Sequence, residues 1–70
     1  MPLQIGRNFR TYEGARKRAR FERAHQDHLM DRYDYIIVSS DDRTIFRVFR
    51  VKPGTDPQKV IAAITNKKGN

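Results

Sequence analysis

The stretch Tyr33-Asp34-Tyr35-Ile36-Ile37-Val38-Ser39-Ser40-Asp41-Asp42-Arg43-Thr44-Ile45-Phe46-Arg47-Val48-Phe49-Arg50-Val51 decides the fold. Its two ends are rich in β-branched and aromatic residues, the side chains that fit a pleated surface. Between them, Ser39 to Arg43 is turn chemistry, with short polar side chains that bond back to their own backbone. The connection is too short for a crossover, so the two strands pair antiparallel as a hairpin. On the second strand, Ile45, Arg47, Phe49 and Val51 point one way, and Phe46, Val48, Arg50 and Lys52 the other. Both faces therefore mix apolar and basic residues, and neither is simply core or solvent.

A two-stranded hairpin is not stable alone in water, so the flanking segments must cover it. Downstream, Pro53-Gly54 ends the second strand. Thr55-Asp56-Pro57-Gln58 then opens a helix, with Thr55 three residues before Gln58 as a capping box and Pro57 in the first turn. Val60, Ile61 and Ile64 give that helix a buried face. Asn66-Lys67-Lys68-Gly69-Asn70 reads as a frayed basic end. Upstream, Thr11 is a suitable N-cap and Glu13 lies near the positive end of the helix dipole. The composition predicts a helix from about Tyr12 to about Arg32. Tyr12, Ala15, Ala19, Gln26, Met30 and Tyr33 share its broad inner face, while Phe21 and Ala24 point away. The second half of that helix looks dockable and the first half does not, because arginines surround it.

The expected fold class is α+β: a small single domain in the order α-β-β-α, with the antiparallel hairpin packed on the C-terminal helix. The basic N-terminal helix is expected to be partly disordered alone. The division is residues 1–10 as a flexible N-terminus, in which Leu3 and Ile5 can add a short strand to a sheet edge. Residues 11–66 form the domain and 67–70 a basic tail. Ile36, Val38, Phe46, Val48, Val60, Ile61 and Ile64 are the central core candidates. Such a core is small for 70 residues, and chain ordering offsets most of what it contributes. A binding partner is expected on that ground.

Composition narrows the chemistry. There is no cysteine, which excludes disulfides and thiolate zinc sites and fits an intracellular protein. No apolar run reaches the length of a membrane span, and Met1 to Arg7 lacks the apolar stretch of a secretion signal. The chain reads as cytoplasmic and complete, with no membrane partner. Ser39 and Ser40 sit in a turn without a nucleophile elbow, and the glycines are isolated rather than gathered in a phosphate loop. His25 and His28, with Glu22, Asp27 and Asp31, echo metal spacings, but the chain has no bundle to supply further ligands. Asp41 and Asp42 lie on a turn in water rather than in a dry cleft. We therefore expect no enzyme, no cofactor, no metal and no small-molecule substrate.

The net charge of +7 is segregated. Residues 1–24 carry +5, residues 25–42 carry −4 and residues 43–70 carry +6. Arginine outnumbers lysine ten to five, and guanidinium groups recognise phosphates and carboxylates in bidentate fashion. The densest block is Arg16-Lys17-Arg18-Ala19-Arg20-Phe21-Glu22-Arg23, with Arg10 just upstream. On a helix these cations reach phosphates on both walls of a nucleic-acid groove, and Phe21 can stack on an unpaired base. The other reading of the run is a solvated face, with Arg20 or Arg23 paired to Asp27. A secondary basic surface can arise from Arg47, Arg50 and Lys52 beside Phe49, suited to single-stranded nucleic acid. The favoured reading of those three is that their stems cover apolar sheet surface.

Over about ten residues the arginine run resembles the arginine-rich helices of bacteriophage N-type antitermination proteins, which bind an RNA hairpin and RNA polymerase. The resemblance is one of composition. It implies a small phage-encoded transcription regulator acting in the host bacterial cytoplasm, with RNA polymerase, RNA or DNA as partner. The chain departs from that family in carrying a folded hairpin-and-helix module after the run. Two classes of function follow. One is a non-enzymatic regulator of transcription that binds RNA polymerase or nucleic acid through the basic helix. The other is a protein-interaction module docking on an acidic face of another host protein, favoured by the acidic residues Asp27, Asp31 and Asp34, which repel a long phosphate backbone. A basic ribosome-associated or virion component is a further alternative.

Overall fold

The computed structural model describes residues 3–69, and side chains over residues 3–64. The described residues form a small mixed α+β domain with two helices and a three-stranded antiparallel sheet. Strand β1 (Leu3–Phe9) precedes helix α1 (Tyr12–Ala24). Strands β2 (Asp34–Ser39) and β3 (Phe46–Val51) follow, then helix α2 (Pro57–Gly69). The expected α-β-β-α order is present behind an added strand. The sheet order is β1-β3-β2, so the last strand is central.

The hairpin is in register from Asp34 opposite Val51 to Ser39 opposite Phe46. Ser40 and Ile45 close it, the Ser40 N–H donating to the Ile45 carbonyl at 2.8 Å. Asp42 fixes the loop: its Oδ1 accepts from Ser40 Oγ at 2.8 Å and from Thr44 Oγ1 at 2.7 Å. Arg43 takes up the reversal in the left-handed region, at φ 59°.

Residues Leu3–Phe9, expected to be loosely ordered, form β1 along the far edge of β3. Leu3 lies opposite Arg50 and Ile5 opposite Val48. The ladder is interrupted between Ile5 and Phe9 by a bulge. Gly6 enters it at φ 75°, a conformation that costs a side-chain-bearing residue strain. A Cβ there would lie 3.3 Å from the Arg18 guanidinium, which rests against the bulge.

Helix α1 covers one face of the sheet. Ala15 and Ala19 are buried with Ile5, Tyr35 and Val48, and Phe9, Tyr33, Ile37 and Phe46 pack round them. The first half of the helix therefore docks, against the expectation from its encircling arginines. Alanine leaves no bulk between helix and sheet, so two of them suffice for close approach. Arginine stems then lie along the flanks. By alternation, Phe49 and Val51 point to the opposite face, and both are buried, as is Val60 of α2. Ile36, Val38, Phe46, Ile61 and Ile64, expected at the centre of the core, are only half-buried. A thin three-stranded sheet in a chain this small leaves many of its apolar residues partly wet.

Two boundaries differ from the sequence reading. Helix α1 ends at Ala24, not near Arg32. Gln26 is buried, and its Oε1 accepts from the Tyr33 N–H at 2.8 Å while its Nε2 donates to the Arg23 and Tyr33 carbonyls. One side chain thus ties the helix end to the start of the sheet and folds the intervening chain outward. Met30, expected on the inner face, is fully exposed as a result. The cap of α2 is Asp56 rather than Thr55. Asp56 Oδ1 accepts from the Gln58 N–H at 3.0 Å, while Thr55 Oγ1 donates back to the Lys52 carbonyl. The tail expected at residues 67–70 lies outside the described side chains.

Candidate basic interface on the first helix

Thr11 starts α1 as expected: its Oγ1 accepts from the Gly14 N–H at 3.1 Å. From there the helical period sorts the basic run into three groups. With Ala15 and Ala19 inward, Lys17, Arg20 and Phe21 lie on the outer side, Arg18 on the β1 flank, and Arg16 and Arg23, seven apart, on the β2 flank.

The outer group and Arg16 are open to solvent. Arg16, Lys17 and Arg20 are exposed, and Phe21 is 55% exposed. Arg16 reaches Glu13 at 3.4 Å, an exposed pair of small energetic weight. Lys17 and Arg20 have no acidic partner among the described residues. The Phe21 ring stacks on His25, with centroids 4.3 Å apart and planes 23° from parallel. Arg10 is exposed in the turn before the helix, level with its N-terminus.

Arg18 and Arg23 also bond to other parts of the fold. Arg18 Nε donates to Glu22 Oε2 at 2.9 Å, and the other carboxylate oxygen of Glu22 lies 3.6 Å from Arg50 Nη2. Arg50 Nε in turn donates to the Tyr35 hydroxyl at 3.1 Å, and its guanidinium sits about 5.5 Å from the Tyr33 and Tyr35 ring centres. Glu22 is only 13% exposed at the side chain. This chain of contacts ties α1 to both β2 and β3. Arg23 donates from Nη2 to the Tyr35 carbonyl oxygen at 3.2 Å. The expected pairing of Arg20 or Arg23 with Asp27 is not among these contacts.

The secondary basic surface does not form as one patch. Arg47 and Arg50 are three apart on a strand, so they face opposite sides of the sheet. Arg50 is spent on Glu22 and Tyr35. Only Arg47, half-buried beside Val38, and exposed Lys52 remain on the surface. Nothing local to Arg50 reveals its role, because Glu22 is on another element. The one signal within reach was that Arg50 alternates with Val48 on the same face.

The histidine and carboxylate spacings do not converge either. His25 Nδ1 lies 2.9 Å from the Phe21 carbonyl, and His28 is exposed. Among the described residues, no three such side chains gather as a metal-holding group. No described helix is long and apolar enough to cross a membrane.

Two open grooves mark the surface. One, of about 580 Å³, runs between α1 and the outer edge of β2, with Arg16, Arg20 and Arg23 on one wall and Tyr35, Ile37 and Pro57 on the other. The second, of about 810 Å³, is apolar and includes Leu3, Leu29, Met30, Val51 and Val60.

No protein-family model, curated protein or solved structure matches this chain. The basic helix must be weighed on its own chemistry. It is a cationic, aromatic-bearing surface on a helix whose inner face is anchored to a sheet.

Proposed function

We propose that the protein is a non-enzymatic regulator of transcription that acts by binding RNA polymerase or nucleic acid through the outer face of α1. The observation that carries this reading is the separation of the arginine run into used and unused cations. Arg18 and Arg23 each donate a hydrogen bond within the fold, while Arg16, Lys17 and Arg20 project beside exposed Phe21. Solvent-facing cations with an aromatic among them suit phosphates and unpaired bases. Placing this binding in transcription rests on the resemblance of the run to N-type antitermination helices. The protein-directed version, docking on an acidic protein face, draws support from the acidic block of residues 25–42 next to the helix end.

The test is affinity capture from bacterial lysate, with and without nuclease. It compares the intact chain with a variant in which Arg16, Lys17 and Arg20 are changed to alanine. Arg18 is left in place because its loss would disturb Glu22. RNA polymerase retained after nuclease treatment and lost with the variant supports the polymerase-directed form. Capture abolished by nuclease supports the nucleic-acid form, for which log affinity should fall with log salt by about 0.7–0.9 per phosphate contact. Capture that ignores the triple substitution overturns the assignment to α1.

A further inference from the structure

The sheet order leaves β2 as an edge strand, and hairpin geometry says which of its backbone groups are free. The Ser40 N–H bonds to the Ile45 carbonyl. In an antiparallel ladder the inward-bonding residues alternate, so Asp34, Ile36 and Val38 bond to β3. Tyr35, Ile37 and Ser39 turn their N–H and C=O groups outward. The bond from Arg23 to the Tyr35 carbonyl agrees with this assignment. The groups of Ile37 and Ser39 remain open, and Ile37 lines the groove beside α1.

Helix α1 runs along that edge. Arg23 sits at Tyr35, and at the other end Tyr12 packs edge-on against Phe46, which lies opposite Ser39. Between these ends, Arg16, Arg20 and Arg23 line the groove in order. At about 1.5 Å per residue, they are spaced roughly 6 and 4.5 Å along the helix axis. Alternate side chains of an extended strand repeat at about 6.8 Å.

We propose that the β2 edge and this arginine stripe form a docking site for an extended acidic segment of a partner protein, which adds to the sheet as a fourth strand. Residues of the segment opposite Ile37 and Ser39 share the α1 face and lie beneath the arginines, so they are Asp or Glu. The residues between them fall beside half-buried Ile36 and Val38 on the other face, so they are apolar. The preferred partner is an extended sequence alternating acidic and apolar residues. Main-chain bonds supply affinity and the alternate side chains supply selectivity.

Charge complementarity chooses this occupant over two others. A second copy of the chain pairing edge to edge brings two arginine stripes together, and like charges oppose that union. A nucleic-acid strand satisfies the arginines, but the outward carbonyls of Ile37 and Ser39 face its phosphates with the wrong sign. The proposal shares Arg16 and Arg20 with the basic-face reading. It stands separately on Arg23 and the β2 backbone.

The experiment is titration of the labelled full chain with a synthetic peptide alternating glutamate and valine, followed by amide shifts and hydrogen exchange. The Ile37 and Ser39 amides should shift and gain protection. A peptide of the same composition in block order should bind at least tenfold more weakly. Arg20→Ala should weaken binding roughly fivefold, in keeping with an exposed charge pair. Ser39→Pro removes an outward N–H at an exposed position of an edge strand that tolerates proline, and it should weaken binding as well. Arg7→Ala, exposed on β1 at the opposite edge of the sheet, should leave peptide affinity unchanged. The proposal is overturned by peptide binding without protection of Ile37 and Ser39, or by no binding. Protection of these amides by a single-stranded oligonucleotide, or by raising protein concentration alone, overturns it too. Failure of the peptide leaves the capture result intact, so the two readings fall independently.

Discussion

Arg23 on the first helix hydrogen-bonds through Nη2 to the backbone carbonyl of Tyr35, an edge-strand group that faces away from the rest of the sheet. An arginine laid over an open strand edge blunts it against indiscriminate pairing. Replacing Arg23 with alanine should therefore cost little in monomer stability, about 1 kcal/mol. It should also raise concentration-dependent association. Light scattering over a dilution series, beside a denaturant titration at low concentration, separates the two effects. A variant that loses stability without associating contradicts the shielding role.

Glu22 stands between Arg18 and Arg50 and is mostly buried. Glu22→Gln removes the negative charge but keeps the shape, leaving two guanidinium groups facing each other in a partly dry interface. A loss of roughly 1–3 kcal/mol is expected, larger than for the exposed Glu13→Gln. Chemical denaturation of both variants checks the ranking. Equal effects would mean that the Arg18–Glu22–Arg50 contacts contribute no more than a surface pair.

Arg43 holds a positive φ in the hairpin loop. Arg43→Gly relieves that backbone cost, partly offset by the greater freedom of glycine when unfolded, for a net gain of about 0.5 kcal/mol. A rise in the denaturant midpoint at unchanged slope would register it.

Asp42 accepts hydrogen bonds from the Thr44 and Ser40 side chains and from the Thr44 backbone, and these hold its carboxyl below the ordinary aspartate range. The folded state thus favours the charged form. Its contribution is present above the unfolded-state pKa and is lost as pH falls through the lower folded value. Asp42→Ala should flatten the acid limb of the stability curve while leaving its shape near neutrality. Denaturation midpoints measured from neutral pH to strongly acidic pH report this, and an unchanged acid limb would exclude the Asp42 cluster as a contributor.

Local features of this fold could be read from the chain and non-local ones could not. The β2–β3 hairpin announces itself through Ile36-Ile37-Val38 and Phe46 to Val51 around a polar turn, since every signal there lies within a few residues. Thr11 reads as a cap for the same reason. The end of α1 is hidden, because Gln26, Met30 and Tyr33 continue a helical stripe on paper. What stops the helix is a Gln26 side chain that bonds to the backbone of Tyr33. Of the basic residues, Phe21 and its exposed neighbours fall on the outer face as the helical period requires. Arg50 does not stay on the surface, because its fate depends on Glu22 and Tyr35 meeting it in space.

The position of β3 at the centre of the sheet also orders events in time. Strand β1 leaves the ribosome before the rest of the sheet, yet Leu3 has no strand partner until Arg50 has been made. Ala15 and Ala19 likewise wait for Val48 before they have a floor to rest on. The hairpin alone can close early, because its contacts span the shortest loop, and the costlier long closure must follow it. During synthesis, β1 thus waits longest for its partner within the fold, and the arginine-rich helix waits with it.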